Sequence, residues 1–212
     1  FVGRITVGDP DDPDVRIDRV VVDYDIGLPW SKDGMGVSPR RVVLTRPLIK
    51  AQWLDGQFSL GSLDPLIKEF TSKPPSADKR GPLIVVSKGQ ALLTTDYGLV
   101  TLRADARIDD GRLKTLTAEL PPSALDHANL NAAGLSAKLQ AQEVDGRLVF
   151  AGHALADAFR GAGVQSQKLD LNFEGGVPYP ANGAKKALGA VVLKADLTAD
   201  ALSGEGFAAQ AA

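Results

Sequence analysis

Apolar and polar residues alternate along most of this chain with a period of two. Val100, Leu102, Ala104, Ala106 and Ile108 interleave with Thr101, Arg103, Asp105 and Arg107. The same split recurs at Leu169, Leu171 and Phe173 against Lys168, Asp170, Asn172 and Glu174. It returns at Val191, Leu193, Ala195 and Leu197 against Lys194, Asp196 and Thr198. Successive side chains of a strand point to opposite faces, so each segment predicts a strand with one apolar and one charged face. Further strands are expected at Ile5–Val7, Val15–Tyr24, Val42–Trp53, Leu83–Leu93, Leu113–Leu120, Leu135–Val144 and Leu148–Leu155. Asp55-Gly56, Asp110-Gly111 and Asp145-Gly146 are dipeptides that tight hairpins favour, because both residues tolerate positive φ.

One helix interrupts the pattern, near residues 64–71. Asp64 is placed to cap it and Pro65 to open it, where a missing N–H costs nothing. Leu63, Leu66, Ile67 and Phe70 then form an apolar stripe, and Pro74-Pro75 ends the run. The polar stretch 73–81 is a linker between an N-terminal part, residues 1–72, and a longer β run over 82–212. The expected fold class is mainly β: an elongated, twisted antiparallel sheet curled into a hydrophobic groove, with the short helix capping one end. Phe1 is not an initiator Met and the tail Gly206–Ala212 is bland, so both ends are expected to be cuts within a longer polypeptide.

An apolar sheet face must be covered. It can serve as ordinary core of a closed sandwich, or it can stay open as a trough for flexible hydrocarbon. Aromatics are only 6% of residues, and small side chains are frequent, which suits a smooth trough better than a two-sheet core. The candidate lining is Val100, Leu102, Ala104, Ala106 and Ile108, then Leu116 and Ala118, then Leu169, Leu171 and Phe173, then Val191, Leu193, Ala195 and Leu197.

Charge and chemistry narrow the function classes. The formal net charge is −2 with Lys and Arg scattered, which leaves no basic stripe to track a phosphate backbone, so no nucleic-acid partner is expected. Cysteine is absent, so disulfides, thiolate metal sites and Cys nucleophiles are excluded. His127 and His153 lack partners at ligand spacing, and the acidic run Asp9–Asp14 lacks the order of a calcium loop and reads as a turn. No G-x-S-x-G or phosphate-loop pattern occurs. The expectation is a protein that is not an enzyme and needs no cofactor or metal.

The order of several segments resembles a known family. Arg4-Ile5-Thr6-Val7-Gly8-Asp9-Pro10 is followed by Ile17-Asp18-Arg19-Val20-Val21-Val22-Asp23-Tyr24, and then by Val42-Val43-Leu44-Thr45-Arg46-Pro47-Leu48-Ile49-Lys50-Ala51. Next come Asp55-Gly56-Gln57-Phe58-Ser59-Leu60-Gly61-Ser62-Leu63, Pro82-Leu83-Ile84-Val85-Val86, and a small strand over Ala91–Gly98. This succession resembles the AsmA-like superfamily, and within it the YdbH branch, relatives of TamB and YhdP. The likeness covers residues 3–120 well and the remainder by its repeated-strand texture. It implies a periplasmic protein anchored to the inner membrane through a segment outside this sequence. It further implies phospholipid acyl chains as cargo, outer-membrane proteins as partners, and transfer of lipid toward the outer membrane. No catalytic residues come with it. The alternative is a non-catalytic β-sandwich, a structural or partner-binding module of the cell envelope.

Overall fold

A computed structural model describes residues 3–27, 36–65, 80–127, 130–161, 163–179, 190–204 and 207–210. Nearly all of them lie in strands of one sheet. In chain order these are β1 (Ile5–Gly8), β2 (Pro13–Gly27), β3 (Gly36–Leu54), β4 (Gln57–Ser59), β5 (Leu83–Thr95), β6 (Gly98–Asp109) and β7 (Arg112–His127). There follow β8 (Leu130–Val144), β9 (Arg147–Gly161), β10 (Val164–Pro178), β11 (Val192–Thr198), β12 (Ala201–Gly204) and β13 (Phe207–Gln210). The thirteen strands are ordered β1-β2-β3-β5-β6-β7-β8-β9-β10-β12-β13, with β4 beside β3 and β11 beside β10. No pairing joins β1 to β13 among the described residues, so the sheet is open.

Turn chemistry explains the hairpins. Asp55, Asp110 and Asp145 have φ of 52°, 54° and 48°, and the glycines after them 72°, 68° and 73°. Two successive left-handed residues make the turn whose twist matches that of the flanking strands. Asp-Gly thus closes β3–β4, β6–β7 and β8–β9 as expected.

Antiparallel pairing holds everywhere except between β3 and β5, which run parallel from Arg41↔Leu83 to Trp53↔Thr95. The expected, mainly antiparallel sheet is present, and this one parallel pairing makes it mixed. Parallel neighbours need a crossover connection, and residues 55–82 supply it. This stretch contains β4, a 3-10 turn at Gly61–Leu63, and the position of the expected helix. Of that helix, Leu66, Ile67 and Phe70 lie outside the described residues, as do Trp30 and residues 73–79 of the linker. Asp64, read as its cap, reaches backwards: its carboxylate accepts the Leu60 N–H at 2.8 Å and the Ser59 hydroxyl at 2.6 Å. The sheet runs without a break from the N-terminal part into the longer β run, because β3 pairs directly with β5.

The crossover is tied down by Asp14, whose carboxylate accepts the Ser62 N–H at 3.0 Å. Gly8 and Gly61 both press on Asp14, with no room for a Cβ at either (2.9 Å). The hydrogen bonds from Ser62 hold the Asp14 carboxyl below the usual carboxylate range. The acidic run is therefore a turn with a structural clamp in it.

Among the described residues a conventional core is missing. The buried apolar side chains are Val15, Val20 and four alanines, and no large side chain is fully buried. Packing runs between hydrogen-bonded neighbours, and no second layer of strands or helices covers the sheet among the described residues.

Candidate functional site: an apolar sheet face

Directly opposed residues in neighbouring strands share a face, so the register lists can be read across the sheet as rows. One row is Val20, Leu44, Val86, Ala106, Leu116, Ala141, Phe150, Gly175 and Leu193. The next on that face is Gly89, Ala104, Ala118, Leu139, Gly152, Phe173 and Ala195. A third is Leu120, Ala137, Ala154, Leu171 and Leu197. Not one of these residues is polar. On the opposite face, between the second and third rows, runs Gln90, Arg103, Glu119, Lys138, His153, Asn172 and Asp196. Arg103, Glu119 and Lys138 alternate in sign from strand to strand, which is how a solvated face avoids like-charge repulsion.

Nine of the fourteen expected lining residues sit in the three apolar rows. Val100 is opposed to Leu93, Leu102 to Ala91, Ile108 to Ile84 and Leu113, and Leu169 to Ala156, all on the same face. Val191 stands just before the paired part of β11. Expected lining residues on β6, β7 and β10 are half-buried, while Arg103, Asp105, Arg107 and Thr117 on the other face are exposed. A face that is sheltered with nothing packed on it is the inner side of a curl. On the outermost of these strands the shelter ends: Val191, Leu193 and Leu197 are 68%, 64% and 56% exposed.

Sequence reasoning missed the continuation of this face through Val20, Leu44 and Val86, and through Leu139, Ala141, Phe150 and Ala154. The β8 residues carried a legible signal, since Leu139 and Ala141 alternate with Lys138, Gln140 and Gln142. The N-terminal strands did not, because Val21, Val43 and Val85 make their other face apolar as well.

Spacing across a sheet is about 4.8 Å per strand, so nine steps from β1 to β11 make an apolar face roughly 45 Å long, perpendicular to the strands. Its floor is levelled at two places. The Phe173 ring lies on Gly152, and the Phe150 ring approaches to 2.6 Å from where a Cβ of residue 175 would stand. Among the described residues no second layer closes over the face. A hollow of ≈ 1490 Å³ lies elsewhere, and polar residues such as Asp126, Asn131, Arg160, Gln165 and Ser203 contribute to its lining.

One edge of the face ends in a polar lock. Arg112, only 8% exposed, donates to Glu143 at 2.6 Å and to the Tyr179 carbonyl at 2.7 Å, and stacks on the Tyr179 ring at 4.4 Å. Lys114 donates to the other Glu143 oxygen at 2.6 Å. The Tyr179 hydroxyl accepts the Leu113 N–H at 2.9 Å, while its own N–H donates to Gly146 at 2.8 Å. The lock ties the ends of β7, β8 and β10 together. The two cations hold the Glu143 carboxyl below its ordinary range.

The histidines are placed as structural groups. His127 packs edge-on against Tyr97 at 5.3 Å, and His153 meets Asp170 at 2.9 Å on the polar face. Among the described residues no three His, Asp or Glu side chains gather as a metal-holding group, and no helix is long and apolar enough to cross a membrane. No protein-family model matches the chain, and neither a curated protein nor a solved structure was found to be similar to it.

Proposed function

We propose that this chain is a section of a periplasmic, bridge-like lipid-transfer protein. The apolar face of its sheet shields phospholipid acyl chains between the inner and outer membranes, and the parent protein is anchored in the inner membrane. One observation carries the lipid part of this reading: an unbroken apolar face spans the strands, half-sheltered by curvature and, among the described residues, covered by no second layer. Leaving that face in water has no structural benefit, whereas hydrocarbon laid along it removes apolar surface from water on both partners. Each shielded CH₂ contributes about 0.8 kcal/mol. Such a carrier needs no catalytic residue and no cofactor, and its headgroups stay in solvent. The compartment and direction of transfer rest on the order of segments in residues 3–120.

A closed β-sandwich with a partner-binding surface would need a dry interior between two layers. The sparse burial of large side chains weighs against it. Photo-crosslinking tests the proposal. Photoreactive residues at Leu102, Leu171 and Leu193 are expected to trap phospholipid in cells, and those at Arg103, Asp170 and Lys194 are not. Equal labelling of both sets, or labelling of neither, overturns it.

A further inference from the structure

Four residues inside strands hold a left-handed backbone: Arg46 (φ 50°), Lys88 (55°), Gly134 (63°) and Lys168 (46°). Three of them carry a side chain, for which this conformation is unfavourable. Each is met by an aspartate from a neighbouring segment. Asp18 pairs with Arg46 at 2.9 Å, and Asp105 accepts the Lys88 N–H at 2.8 Å. The Asp157 carboxylate fills the space where a Cβ of residue 134 would stand. Asp200 pairs with Lys168 at 2.7 Å and donates its own N–H to Gln167 at 3.1 Å.

We propose that these four aspartates fasten a bend line across the sheet, and that the bends they hold set how far it curls. Three observations converge. A left-handed residue inside a strand interrupts the ladder as a bulge residue does, bending the strand, and at Lys88 the register to β6 also shifts by one. The bulges line up: Asp18, Arg46, Lys88 and Asp105 lie at one level of β2, β3, β5 and β6. Gly134, Asp157 and Lys168 lie at one level of β8, β9 and β10. The line steps between the two groups at β7, whose register is broken around Pro121 and Pro122. Finally, the hydrophobic pattern itself slips here. The face advances by three residues instead of two from Ile17 to Val20, from Val86 to Gly89 and from the buried Ser166 to Leu169. Without a bulge at each slip, one half of every strand would turn its apolar set to the wrong face. The inference holds whatever the face carries.

The chain has no cysteine, so spin labels attach only where cysteines are placed. Labels at exposed Val37 and Leu99 span the first group of bulges, and labels at Val144 and Arg160 span the second. Pulsed electron-spin distance measurements on Asp105→Ala are expected to show a longer mean and a broader distribution between the first pair. Asp105→Asn, which keeps the acceptor oxygen, stays as the parent. Adding Lys88→Gly to Asp105→Ala restores the narrow distribution, because glycine takes the left-handed conformation unaided. Asp200→Ala, at an exposed position, broadens the second pair and covers the case in which Asp105→Ala does not fold. Unchanged distributions in the folded alanine variants overturn the proposal.

Discussion

The ring of Phe173 occupies the space beside Gly152, its directly opposed residue across β9 and β10, where a Cβ of residue 152 would stand. Phe150 repeats the arrangement over Gly175 one row away on the same face. A glycine in a strand is weak because it has no side chain to pack, and an aromatic ring laid over it from the next strand restores the missing contact.

Gly152→Ala is therefore expected to destabilise the protein by about 1–3 kcal/mol, because the new methyl group must displace the ring. Phe173→Leu should relieve most of that loss when the two are combined. The coupling, read from urea denaturation of the two single variants and the double variant, should exceed about 0.5 kcal/mol. Independent, additive effects would show that the ring does not rest on the glycine.

The hairpin glycines test backbone strain free of packing. Nothing lies within 4 Å of a Cβ built at Gly111 or Gly146, so substitution there meets only the conformational penalty of φ 68° and 73°. Gly111→Ala and Gly146→Ala should each cost about 1–2 kcal/mol. Gly36→Ala, where space is equally open and φ is not in the left-handed region, should cost far less. Equal melting temperatures for the three variants would contradict this account of the turns.

Acid should loosen the edge where Arg112 and Lys114 share Glu143. Glu143 has a folded-state pKa below its unfolded value. Its contribution to stability is therefore present above the unfolded pKa and is lost as pH falls through the folded one. Asp14 follows the same sign. Melting temperature should fall as pH drops below about 4, and Glu143→Gln should shrink the difference between neutral and acid conditions. Hydrogen exchange should locate the acid-sensitive opening at the Leu113 and Tyr179 amides, which the lock holds.

Most strands were legible because alternation survives wherever one face is solvated, as in β6, β7 and β10. The observed strands run longer than the alternation suggested; β9 extends from Arg147 to Gly161, past the expected end at Leu155. Asp157 faces the bulge at Gly134 there, and a bulge breaks a period-two signal while the pairing continues. The parallel pairing of β3 with β5 was not legible, since a hydrophobic pattern carries no information about strand order. The cue that did exist was the length of the connection after Leu54, long enough for a crossover. The lining was legible on β6 and β10 and incomplete on β2, β3 and β5. There, valines on both faces leave only the register to say which side Val20, Leu44 and Val86 share.

A carboxylate placed on the apolar face separates an open trough from a sealed core. Leu102 and Leu171 are half-buried and, among the described residues, face no covering layer. If hydrocarbon occupies this face in transit, Leu102→Asp and Leu171→Asp leave the empty protein folded, at a cost of about 1 kcal/mol, because the new charge keeps its water. The same variants should lose binding of a fluorescent acyl probe, since each bound chain would strip that water away. If protein sealed the face, an unpaired buried charge would cost more than about 4 kcal/mol, and the variants would unfold. Measuring thermal stability and probe binding on the same samples distinguishes the two, and Arg103→Asp and Asp170→Leu on the opposite face should leave probe binding unchanged. Folded variants that still bind the probe as the parent does would remove the apolar face from the mechanism.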